Sequence, residues 1–439
     1  MARQPRGQAL VFLLPLLAVL AAAAWWALET GQTVTEKRRL RDAADAAALG
    51  GAVWQARALN FQSTMNRAII ANEAVIAQSV SLRSWSAYMG RMLPGAAAVT
   101  AYVPYLNAAT SALQRWWEAF DRVLQPSLVA LEATTGAVER DLAAAARVMH
   151  AATLLVVPQV VRESVAGADP RFQLSAGGEA MLAAWAADWA RFSSFYGGAW
   201  RWRQQDVVYR SLDGFTSERN FTLSPLLGSR LLRFEKRAGT ELIDFETWRG
   251  IDTLSLHQPR YILFGPMRER VALAWGGADD GADSARRGVH GGAWSRNPRA
   301  SRAASRSIER QRAWLGLPSM YDLSAAQRTS FDPPRVVVRL RLADGARRGA
   351  AALLGFDRVA MASGDLLRLG TRGSDGDLFA DAAGSTTFVR PERRRDGALE
   401  LPSLYSPYWR STLVASVSTE RVAMAVLDGT PAWLAAVPR

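Results

Sequence analysis

The sequence has no cysteine and only three histidines. The absence of cysteine excludes disulfide bonds, cysteine-ligated zinc and cysteine nucleophiles. His150, His257 and His290 lie far apart in the sequence and form no His-Glu-x-x-His pair, which argues against a zinc protease. The chain also lacks the Gly-x-Ser-x-Gly elbow and the glycine patterns of nucleotide-binding loops. We therefore expect a protein that is not an enzyme, with no catalytic, cofactor-binding or metal-binding residues.

Lysine is nearly absent, since Lys37 and Lys236 are the only two among 53 basic residues. The others are arginine, and together with the abundance of alanine this indicates a bias toward GC-rich codons. The net charge of +13 is then a weak indicator of nucleic-acid binding, and we expect no nucleic-acid partner. A basic protein outside the cytoplasm can instead meet anionic lipid or cell-wall polymer.

Formal charge is absent from residues 9–28. About 20 apolar residues span a hydrocarbon core of ~30 Å as a helix, and a lone segment has no other way to satisfy its backbone in lipid. Trp25 and Trp26 stand near the end of the run, where indole rings favour the headgroup layer. We therefore predict one transmembrane helix that contacts the lipid bilayer through residues 9–28.

A cleaved secretory signal is the alternative interpretation of this segment. Arg3 and Arg6 fit the basic start of a signal peptide, but the apolar run is longer than the usual ~7–15 residues. Basic residues flank the run on both sides, so charge alone does not fix its orientation.

Helical patterns dominate the chain up to about residue 200. Residues 33–92 carry apolar rows at helical spacing, and we predict that this helix ends before Pro94. A second helical region covers residues 104–167 with an interruption at Pro126, and a shorter helix covers residues 179–195.

The pattern changes near residue 201, where short β-prone stretches are separated by turn residues. These stretches are 207–209, 221–223, 242–245, 261–264, 336–338, 386–389 and 412–417. A final short helix is expected over residues 419–427.

Together these patterns predict an α+β fold in which a single N-terminal transmembrane helix extends into a helical layer, with a β-rich distal body. Residues 276–312 are expected to be flexible, because few of them are able to pack in a core. The expected domains are a membrane anchor and helical neck (1–56), a helical region (57–200), a β-rich region (201–275), a flexible linker rich in Arg, Gly and Ser (276–312) and a β-rich C-terminal region (313–439).

Three segments have residue types found in binding sites or turns. Asp375, Asp377 and Asp381 lie in a glycine-containing loop that offers oxygens to calcium, although the incomplete EF-hand pattern favours a plain turn. Asp213 is followed by glycine and is interpreted as part of a hairpin turn. The arginines of residues 286–312 are able to contact phosphates, but a soluble linker is the favoured interpretation, and the sequence leaves open whether it binds anything.

The N-terminal segment resembles a known family. The family opens with a basic-Gly-Gln-Ala pattern, spans the membrane once and continues through an alanine-rich helix. This chain matches it with Arg6-Gly7-Gln8-Ala9-Leu10-Val11, the apolar run and Arg39-Leu40-Arg41-Asp42-Ala43-Ala44-Asp45-Ala46-Ala47-Ala48-Leu49. The family is that of TadE/TadG-like Flp (tight adherence, type IVb) pilus-assembly proteins, and the likeness is strongest over residues 3–52. Residues 58–89 and 404–409 look like a proteobacterial subgroup of the same family.

The resemblance implies a single-pass protein of the bacterial inner membrane, with its C-terminal body in the periplasm and with pilus-assembly proteins or pilins as partners. A processed pilin of this class is cut after a glycine and has Glu at its fifth mature position, whereas a cut after Gly7 puts Phe12 there. The apolar run has no carboxylate, so the resemblance favours a TadG-like, membrane-anchored, non-catalytic assembly component. The alternatives are a surface or pilus-tip adhesin and a membrane-tethered periplasmic hydrolase.

Overall fold

The computed structural model describes residues 8–196, 201–224, 233–262, 265–282, 286–343 and 377–430. Its helices are α1 (Gln8–Thr100), α2 (Pro104–Ala168), α3 (Ala176–Phe192), α4 (Trp202–Ser211), α5 (Gly214–Ser217), α6 (Ala293–Arg296), α7 (Pro298–Arg306), α8 (Ala325–Thr329) and α9 (Ser418–Leu427). Its strands are β1 (Gln173–Leu174), β2 (Ser193–Phe195), β3 (Phe221–Leu223), β4 (Arg233–Ile243), β5 (Thr247–Ile262), β6 (Gly265–Gly281), β7 (Arg310–Gln311), β8 (Tyr321–Leu323), β9 (Val336–Leu342), β10 (Leu378–Phe388) and β11 (Trp409–Val414). A long N-terminal apolar helix followed by a sheet-rich body confirms the predicted α+β class.

The chain forms two compact units, each built from segments that are distant in sequence. Unit 1 contains residues 1–62, 148–194 and 323–439, and unit 2 contains residues 63–147 and 195–322. This division differs from the five consecutive segments expected from the sequence, because α1 and α2 each contribute residues to both units.

Unit 1 is built around the antiparallel sheet β1-β9-β10-β11. Strand β9 is buried on both faces from Val336 to Leu340, which fits the run of three valines at its start. Val336 contacts α1, since its Cγ1 lies 2.7 Å from where a Cβ on Gly51 would stand. The next residue, Val337, points to the other face and clusters with Met424 of α9 and Met181 of α3.

Unit 2 is built around the sheet β3-β4-β5-β6-β7, in which β4, β5 and β6 are long antiparallel neighbours. Two adjacent glycines of β6 show what covers each face. A Cβ on Gly276 would lie 2.3 Å from the carbonyl oxygen of Ser84 in α1. A Cβ on Gly277 would lie 2.7 Å from Ile308, just after α7. Helix α1 therefore covers one face of this sheet, and the α7 segment covers the other.

The predicted interruptions at Pro94 and Pro126 are wrong, because α1 runs to Thr100 and α2 is continuous. A proline removes one backbone donor and leaves the carbonyl four residues earlier without its helical partner. Both prolines, and Gly90 and Arg122 four residues before them, are exposed. Water can therefore satisfy the freed carbonyls, and the helices continue.

Two expectations for the middle of the chain are also wrong. Residues 207–209 lie in α4 rather than in a strand, because Gln204 and Val208 face the core one helical turn apart. The segment 276–312 is folded where it is described, with Ala300 and Ala304 of α7 fully buried. Small side chains are enough to fill the space there, because Gly277 of β6 has no side chain and lets α7 pack close to the strand.

Most other predicted elements are confirmed, including the stretches 221–223 and 336–338 and the helix over 419–427. Residues 242–243 end β4, and Asp244 and Phe245 form a turn with positive φ values. Leu263 and Phe264 lie outside the described residues.

Candidate functional site

The apolar segment of α1 is largely exposed from Phe12 onward. Leu14 and Leu17 are 63% and 52% exposed, and the other large apolar side chains up to Leu28 are also exposed, except Trp25, which is partly buried. In the described part of the chain, two helices are long and apolar enough to cross a membrane, one within Phe12–Thr100 and the other within Pro104–Ala168. The apolar window of the first has no buried residues, whereas 22% of the second window is buried. The first is therefore the stronger candidate for contact with lipid.

Polar contacts begin where this segment ends. Thr30 and Thr33 donate their hydroxyls to carbonyls four residues earlier in α1. Glu36 is buried, and it accepts a hydrogen bond from Arg171 at 2.9 Å. Arg171 also binds Asp169 at 2.7 Å, and these two carboxylates raise the pKa of the guanidinium above its usual range. The charged cluster ties α1 to the segment that follows α2.

The alanine-rich neck of α1 forms the core of unit 1. Its buried apolar residues, none more than 6% exposed, are Leu40, Ala43, Ala44, Ala47, Ala48, Ala52 and Ala56. A Cβ on Gly384 of β10 would lie 2.3 Å from the carbonyl oxygen of Ala48, and one on Gly51 would lie 3.2 Å from Val161 of α2. Small residues therefore let β10 and α2 approach the backbone of the neck closely. The alanine pattern has a packing role inside this chain.

Gln55 connects the neck to three other parts of unit 1 and is fully buried. Its Nε2 donates to the carbonyl of Pro334 at 2.9 Å and to Thr386 Oγ1 at 3.0 Å. Its Oε1 accepts from Trp185 Nε1 at 2.8 Å. One amide thus satisfies groups from α3, from β10 and from the loop before β9.

The start of the first segment that carries the subgroup resemblance meets the second segment in unit 1. Asn60 of α1 bonds both backbone groups of Trp409, which opens β11. The Trp409 ring packs edge-on against Phe192 and Phe388, with centroids 6.0 and 5.2 Å away. Asn60 and Trp409, one from each of these segments, are therefore direct neighbours.

The later part of α1 presents buried polar side chains to unit 2. Arg83 donates to Glu132 of α2 at 2.8 Å, and both side chains are buried. Ser84 donates to Asp252 of β5 at 2.8 Å. Asp252 also binds Arg219 at 2.9 Å. These contacts satisfy charged groups that burial alone would strongly destabilise.

Glu73 of α1 and Glu139 of α2 form a buried carboxyl pair in unit 2. Trp248 Nε1 donates to Glu73 Oε2 at 2.7 Å, and Trp314 Nε1 donates to Glu139 Oε2 at 3.1 Å. Burial raises the pKa of Glu73 to about 7. Burial and the Glu73 charge raise the pKa of Glu139 to about 10. Burial and the neighbouring Glu73 charge therefore favour the protonated form of Glu139, while the positive charge of Arg201 nearby favours the ionised form of Glu73.

Among the described residues, a groove lies in each unit, and neither of these two grooves is lined by Glu73 or Glu139. The groove of unit 2 has a volume of about 870 Å³, and its polar lining includes Arg83, Arg91, Asp121, Gln125 and Glu309. The groove of unit 1 has a volume of about 460 Å³, and its lining includes Trp185, Asp188, Phe192, Pro333 and Arg335. In the part of the chain that the structure describes, no group of three or more His, Cys, Asp or Glu residues is arranged to hold a metal ion.

The three histidines are all at least partly buried. His150 stacks on Trp189 with ring centroids 5.3 Å apart, and its Nδ1 lies 3.2 Å from Gln62 Nε2. Burial lowers the pKa of His150, of His257 and of His290, the last to about 4. His150 lies in unit 1 and the other two in unit 2.

The acidic residues predicted as a turn or calcium loop have arginine partners where they are described. Asp377 contacts Arg341 at 2.5 Å, and Asp381 of β10 contacts Arg339 of β9 at 3.4 Å. Asp381 therefore belongs to a strand rather than to a turn. Asp375 lies outside the described residues.

Asp213 caps a helix rather than forming the predicted hairpin turn. Its Oδ1 accepts from the backbone N–H of Thr216 at 2.8 Å, and its Oδ2 accepts from the Thr216 hydroxyl at 2.9 Å. Asp213 is thus the N-cap of α5, a position that favours aspartate.

Sequence reasoning missed Gln55, Glu73 and Glu139. For Glu73 a signal was present, since it lies four residues after Ile69 and three before Ile76, on the same apolar row of α1. A carboxylate on such a row indicates a buried charge with a specific partner. No comparable pattern marks Gln55, because its partners are far away in the sequence.

Comparison with protein-family models matches residues 7–56 to the TadE/G-like Flp pilus-assembly domain. The match confirms the predicted resemblance and supports a role related to the Flp pilus. The matched segment contains both the exposed apolar part of α1 and its buried neck. No curated protein and no solved structure matches the chain.

Proposed function

We propose, from the family match over residues 7–56, that this chain is a TadG-like component of Flp pilus assembly that remains in the membrane and performs no catalysis. Residues 9–28 anchor it as a single-pass protein in the bacterial inner membrane, and its C-terminal body lies in the periplasm. Its partners are other pilus-assembly proteins or pilins. The observation that carries this proposal is α1 itself, which joins an exposed apolar segment to a neck buried in unit 1.

The apolar run favours a retained component over a processed pilin. A processed pilin of this class has Glu at its fifth mature position, whereas residues 9–28 contain no carboxylate. The neck packs against Val161 of α2 and Gly384 of β10, and it thereby joins the apolar segment to the folded part of unit 1.

Contacts inside the bilayer offer one way to hold partners. Ala18 and the four residues 21–24 are small and exposed, so a second helix can approach closely there.

Charged substitution within the apolar segment tests the anchor. Replacing Leu14 and Leu17 together by arginine should release the protein from carbonate-washed membranes or lead to its degradation, because each charge near the bilayer centre costs roughly 2.5–3.5 kcal/mol. Leu14→Ile with Leu17→Ile is the matched control and should remain in the membrane. Unchanged retention of the arginine variant would exclude the anchor.

The absence of natural cysteine makes the orientation directly measurable. In Ala137→Cys the thiol would lie on an exposed part of α2, whereas in Ala77→Cys it would be buried. If the body is periplasmic, a membrane-impermeant maleimide should label Ala137→Cys in intact spheroplasts. The buried control should be labelled only after denaturation. Labelling of Ala137→Cys that requires lysis would place the body in the cytoplasm and contradict the proposal.

Cell fractionation separates assembly from adhesion. Deletion of the gene should abolish Flp pili, and the wild-type protein should remain with the inner membrane when pili are sheared from cells. Recovery of the full chain in the sheared pili would favour an adhesin. Normal pili in the deletion strain would contradict a role in assembly.

A further inference from the structure

Helix α7 presents arginines to solvent on one side. Arg299, Arg302 and Arg306 follow one another at spacings of three and four residues and are exposed, whereas Ala300 and Ala304 are fully buried. Arg296, just before α7, is 42% exposed and continues the series. We call Arg296, Arg299, Arg302 and Arg306 the arginine face.

Hydrogen bonds to the sheet fix the start of this helix. Asn297 is fully buried, and its Nδ2 donates to the carbonyl of Glu235 in β4 at 2.9 Å and to Thr253 Oγ1 at 3.1 Å. His257 Nε2 lies 2.9 Å from Asn297 Oδ1. Pro298 then occupies the first turn, where its missing N–H has no cost. The arginine face is therefore presented by a rigid element of unit 2.

In the part of β4 next to the arginine face, arginines outnumber acidic residues. The fully buried carboxylate of Glu235 is bound by Arg296 at 2.9 Å and also contacts Arg233 and Arg237. One carboxylate thus serves three guanidinium groups. Arg270 of β6 adds another, and it donates to a neutral carbonyl rather than to an acid. Among the described residues, this part of the sheet therefore has more guanidinium groups than carboxylates in contact with them.

The exposed arginines are also poorly neutralised. Arg299 contacts Glu269 at 3.6 Å, and this guanidinium is 59% exposed. Among the described residues, Arg302 and Arg306 form no ion pair. Like charges at this spacing repel one another on an isolated helix. An anion bound between the arginines would relieve this repulsion, so its binding is favoured.

We propose that the arginine face binds a linear polyanion through its phosphate groups. Guanidinium groups match the geometry of phosphate oxygens and form paired, charge-assisted hydrogen bonds with them. Seven residues separate Arg299 from Arg306 within α7, about 10 Å along the helix, so an extended chain fits better than a single small anion.

The composition of α7 favours a soluble polymer over a bilayer surface. Interfacial helices bury large apolar side chains among the acyl chains. Helix α7 contains no apolar side chain larger than alanine or proline, and its alanines already pack within unit 2. The arginine face therefore has positive charge but no large apolar side chains to insert into a bilayer.

Binding to defined probes tests the proposal on the purified full-length chain in detergent. The probes are polyphosphate, mixed-sequence single-stranded DNA of the same charge and vesicles rich in phosphatidylglycerol. The test variant replaces Arg299, Arg302 and Arg306 by glutamine. The control replaces three exposed arginines elsewhere in unit 2, at positions 67, 115 and 122, and changes the net charge equally.

Wild type and control should bind polyphosphate with strong salt dependence, and the test variant should bind at least about tenfold more weakly. The slope of log K against log salt should fall by about two to three, since each phosphate contact contributes ~0.7–0.9. DNA that binds as well as polyphosphate supports recognition of phosphate alone, whereas much tighter binding of DNA would show that bases are read and overturn the assignment. Equal weakening in test and control variants, no binding of polyphosphate by wild type, or binding to vesicles alone would also overturn it.

Discussion

Asn60 holds the backbone of Trp409 with both ends of its amide. Its Nδ2 donates to the Trp409 carbonyl at 2.9 Å, and its Oδ1 accepts from the Trp409 N–H at 3.0 Å. The two residues are 349 positions apart, and Trp409 is 3% exposed. This pair fixes the start of β11 against α1, because one side chain supplies a partner to both backbone groups of Trp409.

Asn60→Ala should loosen β11 before it affects the rest of unit 1. The substitution leaves two backbone groups of Trp409 without partners, at a cost of about 1–3 kcal/mol. Hydrogen exchange followed by mass spectrometry should show faster exchange in peptides covering residues 409–414. Gln78→Ala, which removes an exposed amide from the same helix, should change nothing there. Equal protection of β11 in both variants would refute this role for Asn60.

Gly384→Ala should destabilise unit 1 because the added methyl group has no room. Its Cβ would lie 2.3 Å from the Ala48 carbonyl oxygen and 2.9 Å from Ala52 Cβ, and the backbone of α1 cannot move aside freely. Overpacking of this kind costs about 1–3 kcal/mol. A lower denaturation midpoint of the detergent-solubilised chain would confirm it.

Gly90→Ala makes the same chemical change where nothing lies within 4 Å. This position is exposed within α1, so alanine should stabilise the helix by about 0.5–1 kcal/mol. A Gly384→Ala variant as stable as Gly90→Ala would show that the neck is not tightly packed.

The buried carboxyl pair should make the protein less stable as the pH rises. Burial raises the pKa of Glu73 to about 7 and of Glu139 to about 10, whereas the unfolded chain titrates near 4.5. The folded state therefore holds protons that the unfolded state has lost, and its stability falls from about pH 4.5 upward through both folded values. Glu139→Gln keeps an amide donor beside Glu73 and should give a flatter dependence of the unfolding free energy between pH 6 and 9.

Glu118→Gln on the exposed surface of α2 is the matched control and should retain the wild-type slope. Urea unfolding at several pH values measures both variants. The same slope for wild type and Glu139→Gln would mean that the pair does not hold a proton in the folded state.

The sequence predicts the parts of this fold that depend on neighbouring residues. A charge-free run of the right length indicates the membrane helix, and alanines at helical spacing indicate the neck. The stretches 221–223 and 336–338 were identified because β-branched and aromatic residues lie between turn signals. In each case the pattern is contained within about 20 residues of chain.

The contacts that organise the units could not be predicted in this way. Gln55 and its partner Thr386 are 331 residues apart, and nothing near either residue indicates the other. The segment around Ala300 looks too poor in apolar residues to form a core. It packs only because Gly277, on a distant strand, leaves space for small side chains. Long-range complementarity of this kind has no local signal. The arginine face could not be predicted for the same reason, because its arginines share one side only once α7 has folded.

Arg83 and Glu132 should contribute to the stability of the fold through their contact with each other, rather than as two independent residues. Arg83 Nη1 donates to Glu132 Oε2 at 2.8 Å, and Ser79 Oγ donates to Oε1 at 2.8 Å. At a pH where Glu132 is ionised, Arg83→Met leaves its carboxylate buried without a cation, at a cost of about 3–5 kcal/mol. Replacing both residues by methionine should recover most of this loss, since apolar side chains of similar size often replace buried ion pairs at little cost.

The effect of Arg83→Met should also depend on pH. Burial raises the pKa of Glu132 to about 8 even with Arg83 beside it, and removal of Arg83 should raise that pKa further. The loss of stability should therefore be larger at pH 9, where wild-type Glu132 is ionised and paired, than at pH 6, where it is largely protonated. Denaturant unfolding of the single and double variants at both pH values tests this, with exposed Arg115→Met as the control. A double variant no more stable than Arg83→Met, or a loss that is equal at both pH values, would mean that the two side chains do not stabilise unit 2 through their charges.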